Sequence, residues 1–193
     1  PSRAEAGLPE DGFVFCSFNA HWKLNAPLFD IWMRLLEQVP GSVLWLMDGP
    51  GAANLRDAAR ARDIDPARLV FAPRMAAPAH LARHRLADLF LDTLPYNAHT
   101  TGSDALWAGL PVLTCKGRAF PGRVGASLLN AVGLADMVTD TLEDYEALAL
   151  KLAKDGALLK TIRQRLADNL GSAPLFDTGR FRKGLEATLT GLL

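Results

Sequence analysis

The sequence predicts an α/β domain, a doubly wound parallel sheet with a helical carboxyl-terminal tail. Three observations predict it. Apolar runs bounded by turn residues alternate with segments of helical periodicity, the pattern of repeated βα units. The runs are short and largely apolar, as strands covered by helices on both faces are. Beyond about residue 119 the strand signals thin out and helical periodicity takes over. At 193 residues with 49% hydrophobic, the chain has enough apolar surface for one substantial core.

The elements follow in order. Residues 1–12, PSRAEAGLPEDG, are punctuated by Pro and Gly and read as a linker entering from an upstream half, with 13–193 as the domain proper. Strands are expected at Phe13–Phe18, Val43–Met47, Leu69–Phe71, Leu89–Leu91 and Val112–Leu113. Between the first two, 26–38 places Leu28, Ile31, Trp32, Leu35 and Leu36 on one helical face. Further helices are expected over 55–62, 79–86 and at Ala105-Leu106-Trp107, and then over 124–132, 142–154, 157–170 and 181–192.

Charge and cysteine content exclude several function classes. Lys and Arg number 21 against 21 Asp and Glu, so no excess cationic charge awaits nucleic acid or an anionic membrane. Two cysteines, Cys16 and Cys115, make no disulfide framework, and a reducing cytoplasmic setting is expected. No apolar run approaches the ~18 residues of a membrane span.

A doubly wound sheet binds ligands beyond the carboxyl ends of its strands, where the strand order reverses, between strands one and four in the usual order. The loop after strand one reads Asn19-Ala20-His21-Trp22-Lys23, and its lysine is suited to donate to phosphate oxygens and offset charge on a leaving group. The loop after strand four runs from Asp92 to Asp104 and leads into a helix. His99, Thr100 and Thr101 fall at the incoming helix terminus, where free N–H groups and the helix dipole attract phosphate. Asp104, one turn on, is placed to accept from a ribose hydroxyl. A plain Thr/Ser N-cap accounts for all of this except His99.

Other candidates carry less. Gly49-Pro50-Gly51-Ala52-Ala53-Asn54 follows the wrong strand and lacks the third glycine of a dinucleotide fingerprint. His80 and His84 share a helix face, but no catalytic Glu lies between them and no third ligand is evident, so no metal is expected. Ser127 lacks a nucleophile elbow. Cys16, Tyr145 and Trp107 read as core residues, and Cys115 as a partly exposed thiol without a catalytic part.

The segments Gly7–Asp11, Phe13–Asn19, Lys23-Leu24, Pro40–Leu46, Leu91–Thr114 and Arg123–Ser127, with LDT-x-PYNAHTT at their centre, together resemble the carboxyl-terminal half of the O-GlcNAc transferase family, over roughly residues 3–189. The resemblance implies a Rossmann-like half of a GT-B glycosyltransferase that carries most of the donor site. It implies inverting, metal-independent transfer of N-acetylglucosamine from UDP-GlcNAc to Ser or Thr of an acceptor protein, usually behind tetratricopeptide repeats. Carried over by position, Lys23 stabilises the departing diphosphate, His99, Thr100 and Thr101 hold phosphates, Asp104 holds the ribose, and His80 stacks on uracil with Arg83 nearby. No cofactor beyond the donor is implied. Ala20 stands where the family usually has an amide that contacts the diphosphate, and Ala77 where a Lys near the base is frequent. The amino-terminal half, with its acceptor contacts and a histidine near the reaction centre, is not in the sequence, so the chain alone is expected to bind nucleotide and transfer little. The alternatives are a SPINDLY-like domain using GDP-fucose and a catalytically silent binding module.

Overall fold

A computed structural model describes residues 1–192. Six parallel strands form one sheet: β1 (Val14–Ser17), β2 (Val43–Met47), β3 (Leu69–Ala72), β4 (Leu89–Leu91), β5 (Val112–Cys115) and β6 (Val138–Thr139). They lie in the order β3-β2-β1-β4-β5-β6. The order turns around between β1 and β4, as expected for a doubly wound sheet. The first four strands and β5 stand at the predicted positions. β6 is an addition, because two residues are too short to make a hydropathy pattern. Its pairing with Thr114 and Cys115 and the bond from the Thr139 hydroxyl to the Thr114 carbonyl define it.

Eight α-helices flank the sheet among the described residues: α1 (Ala26–Gln38), α2 (Ala52–Arg60), α3 (Ala77–Arg83), α4 (Thr100–Trp107), α5 (Val124–Ala131), α6 (Leu142–Lys154), α7 (Gly156–Leu170) and α8 (Thr178–Thr190). α1 shows how local chemistry sets their ends. The Asn25 side chain accepts from the Leu28 N–H, Pro27 starts the helix, and Leu28, Ile31, Trp32, Leu35 and Leu36 are buried against the sheet. The expected helix over 79–86 divides into α3 and a 3-10 turn at His84–Leu86. α8 begins three residues before its expected start, capped by Asp177, and buries no side chain.

The segment 1–12 lies against the sheet's amino-terminal edge. The Arg3 guanidinium donates to the carbonyls of Leu86, Glu10 and Gly12 and pairs with Asp88, while Leu8 is buried. Two core assignments change. Cys115 is buried at the end of β5, because β6 and α6 cover that edge. Trp107 is 55% exposed, because it falls in the last turn of α4, where it meets Phe176 edge-on at 4.9 Å.

Candidate functional site

The loops after β1 and β4 meet at the reversal point and are stitched together by polar side chains. Lys23 Nζ donates across to the Asn97 carbonyl at 2.8 Å. Asn25 Nδ2 donates to the Leu94 carbonyl at 2.6 Å. The buried Asn19 donates to the Thr93 hydroxyl and accepts from the Thr101 hydroxyl at 2.7 Å. Lys23 also sits 4.3 Å from the centroid of the Tyr96 ring, a cation–π contact. Partial burial lowers its pKa, while the Asp92 carboxylate pulls it back up.

α4 starts at this junction with no side-chain cap, since His99 occupies the N-cap position and makes no capping bond. The alternative of an ordinary Thr/Ser cap is not realised, for a physical reason. The Thr101 hydroxyl is committed to Asn19, and Thr100 finds no side-chain partner among the described residues. The first-turn N–H groups of α4 are therefore uncapped beside the Lys23 ammonium, a concentration of donors and positive potential suited to an anion. The His99 ring stacks on Tyr96 at 4.9 Å, with one ring nitrogen 3.3 Å from the Pro121 carbonyl. Trp22 and Phe120, about 70% exposed each, extend this aromatic row on either side.

On the other flank, His80 packs beside Phe18 at 5.3 Å. Its Nδ1 accepts from the Arg83 guanidinium at 2.5 Å, which leaves the proton on Nε2. Burial and then the Arg83 charge lower the His80 pKa, and the charge of the Asp104 carboxylate on α4 raises it. Arg83 itself is 2% exposed. It donates to the Pro73 carbonyl, covers the Phe18 ring at 4.5 Å and braces His80 from beneath. The structure thus gathers Lys23, His80, His99, Thr100, Thr101 and Asp104 along the carboxyl edge of the sheet and sets Arg83 behind them.

Behind the junction lies a polar cluster to which sequence reasoning gave no role. Asp92, fully buried at the end of β4, accepts from the N–H groups of Thr93 and Ala98 and from the Thr114 hydroxyl. Burial raises its pKa to about 6, opposed by those three hydrogen bonds and by Lys23. Tyr145 is buried as expected and donates to the Asp92 carbonyl at 3.0 Å. A carboxylate directly after an apolar strand was the available signal.

The remaining motifs resolve into packing. Cβ atoms at Gly49 and Gly51 would come within 3.4 and 2.8 Å of the His21 ring, so the paired glycines make room for an imidazole that donates to the Met47 carbonyl. This group borders a cleft of about 410 Å³ that also includes Ala20, Asp48 and Arg74. His84 is buried, with Nδ1 donating to the His80 carbonyl and burial lowering its pKa to about 4. Ser127 is exposed on α5. No three His, Cys, Asp or Glu side chains among the described residues cluster as a metal cage would require. None of the described helices is long and apolar enough to cross a membrane.

Known proteins resemble this chain in sequence and in fold. The model of glycosyl transferase family 41 matches residues 1–185. A probable UDP-N-acetylglucosamine–peptide N-acetylglucosaminyltransferase SEC of Arabidopsis thaliana is 39% identical over 189 residues, covering 96% of this chain and 19% of that protein. A SPINDLY protein of Petunia hybrida, given the same probable activity, is 33% identical, covering 92% and 20%. Among solved structures, a lysine mutant of the O-GlcNAc transferase of Thermobaculum terrenum superposes with a TM-score of 0.87 at 31% identity, covering 95% of this chain and 38% of that one. The chain thus spans about a fifth of the length of these curated relatives.

Proposed function

The chain belongs to glycosyl transferase family 41, and from that premise we propose that it is the donor-binding half of a protein O-GlcNAc transferase. In this reading it holds UDP-GlcNAc for inverting transfer of N-acetylglucosamine to Ser or Thr hydroxyls of an acceptor protein. The observation that carries the reading is the uncapped start of α4 meeting Lys23 at the sheet's reversal point. The N–H groups of the first turn, with the Thr100 hydroxyl, take the diphosphate, and Lys23 offsets the charge that accumulates as UDP departs. His99, held against Tyr96, donates to the phosphate from the N-cap position. His80, kept neutral by burial and Arg83, offers its ring face to the base, and Asp104 accepts from the ribose. Lys23 is the residue assigned to catalysis. The acceptor contacts, the upstream half and any tetratricopeptide repeats belong to parts of a longer protein, and a cytoplasmic, metal-independent enzyme is the corresponding expectation.

Calorimetric titration with UDP, with GDP as control and His99→Ala as the site variant, tests the reading without an acceptor. Saturable UDP binding stronger than GDP, weakened about tenfold or more in the variant, is the expected result. GDP binding more tightly would move the assignment to a SPINDLY-like fucosyltransferase. Absence of binding to the folded chain would favour the silent module, for which Ala20 speaks: it brings no amide to the cleft beside the phosphate loop.

A further inference from the structure

The polar cluster beneath the junction has no part in the donor contacts assigned above, yet three of the four side-chain hydrogen bonds between the two loops pass through the turn it closes, the fourth joining Thr101 to Asn19. Residues 93–98 begin and end on the same carboxylate oxygen. Asp92 Oδ1 accepts from the Thr93 N–H at 2.7 Å and the Ala98 N–H at 2.5 Å, and Oδ2 accepts from the Thr114 hydroxyl at 2.6 Å. Within that turn lie the Asn97 carbonyl that receives Lys23, the Leu94 carbonyl that receives Asn25 and the Thr93 hydroxyl that receives Asn19. Asn97 Oδ1 also accepts from the Gly125 N–H, which ties the turn to the start of α5. His99 and the open end of α4 follow one residue later.

We propose that Asp92 is a positioning residue of the donor site: its carboxylate closes the 93–98 turn, fixing the Asn97 carbonyl beneath Lys23 and the start of α4 beside it, and sets a negative charge behind the Lys23 ammonium. The proposal rests on the donor reading. A carboxylate bonded by three donors at one buried point organises backbone more firmly than a neutral acceptor does, because each bond is charge-assisted. The groups facing it are Lys23 from the loop after β1, the neutral hydroxyl of Thr114 on β5, and on α6 the hydroxyl of Tyr145, which bonds its backbone carbonyl. Gly125 of α5 presents no side chain there. His99, across the Tyr96 ring, is the nearby imidazole.

Charge alone makes an opposite prediction, which allows a test by sign. Removing an anion from beneath a diphosphate site should tighten diphosphate binding if Asp92 only fills space. The 193-residue chain and its Asp92→Asn variant are compared, first without nucleotide. Amide hydrogen exchange at Thr93 and Ala98 is expected to rise at least about tenfold in the variant while Phe90 and Leu113 in the sheet stay unchanged. The Lys23 side-chain pKa, followed by NMR, is expected to fall. UDP affinity is then expected to drop about tenfold while uridine, which lacks phosphate, binds both proteins alike. Unchanged exchange and an unchanged Lys23 pKa, or tighter UDP binding, would overturn the proposal.

Should Asp92→Asn not fold, Thr114→Val leaves the carboxylate and removes one of its donors. The Asp92-linked inflection of the Lys23 resonance, near pH 6 in the unaltered chain, is then expected to move upward, with His99 read separately from its own ring signals. An inflection that stays in place would count against Asp92. If the unaltered chain binds no UDP, the donor reading fails, and the nucleotide-free readouts still decide on Asp92.

Discussion

At the scale of single residues, two buried groups near the site that titrate between pH 4 and 6, His84 and Asp92, act on stability in opposite directions. His84 is buried with its Nε2 unpartnered, and burial lowers its pKa to about 4 from 6.5. The unfolded chain takes up that proton near pH 6.5 and the folded chain only near 4. Its contribution is therefore complete above pH 6.5 and is lost as pH falls toward 4, by roughly 3 kcal/mol at most. Asp92 runs the other way: with its pKa raised to about 6 from 3.8, its contribution is complete below 3.8 and lost as pH rises through 6. The two overlap and partly cancel between pH 4 and 6, so a difference between proteins is the informative quantity. Denaturant unfolding of His84→Gln across pH 4 to 7 is expected to show stability rising less steeply with pH than in the unaltered chain. Parallel curves would mean that folding leaves the histidine's proton affinity unchanged. Lys23 belongs to the same scale. In an active full-length enzyme, Lys23→Ala is expected to lower kcat at least about tenfold with the thermal midpoint little changed, and unchanged turnover would remove it from the mechanism.

At the scale of elements, the site depends on how closely α5 approaches β4 and β5. A Cβ at Gly125 would lie 2.5 Å from both Asp92 Oδ2 and Thr114 Oγ1, atoms that are buried and mutually bonded. Gly125→Ala is therefore expected to destabilise the fold by about 1–3 kcal/mol in chemical denaturation and to loosen the 93–98 turn, because the Gly125 N–H bonds Asn97. A stability equal to the unaltered chain would show that the helix end can retreat freely. α4 illustrates the limits of local reading: its position after strand four and its His-Thr-Thr start were evident, but the diversion of the Thr101 hydroxyl to Asn19 was not. That bond joins residues 82 positions apart, and no local pattern encodes it. β6 escaped for the complementary reason, since a two-residue strand is defined by its neighbour rather than by its own hydropathy.

At the scale of the whole molecule, α8 contributes little to the fold it follows. It buries no side chain and exposes Phe181, Leu185 and Leu189. Removing residues 178–193 is expected to shift the thermal midpoint by less than about 2 °C while UDP binding persists, and a larger loss would show that the helix packs in solution. The order of apolar runs and helical segments was enough to determine a parallel doubly wound sheet, because strands buried on both faces must be apolar and parallel neighbours need crossover helices. That architecture alone places the loops after β1 and β4 at the reversal of strand order, and with them Lys23, His99, Thr100, Thr101 and Asp104. Only the tertiary structure decided what those loops rest on: Asp92 beneath Lys23, Arg83 buried behind His80, His21 filling the space left by Gly49 and Gly51, and Trp107 turned outward. Hydropathy records which residues leave water, a property of each position and its near neighbours. Hydrogen bonds and charge balance join groups distant along the chain, and they exist only once the sheet has brought the strand ends together.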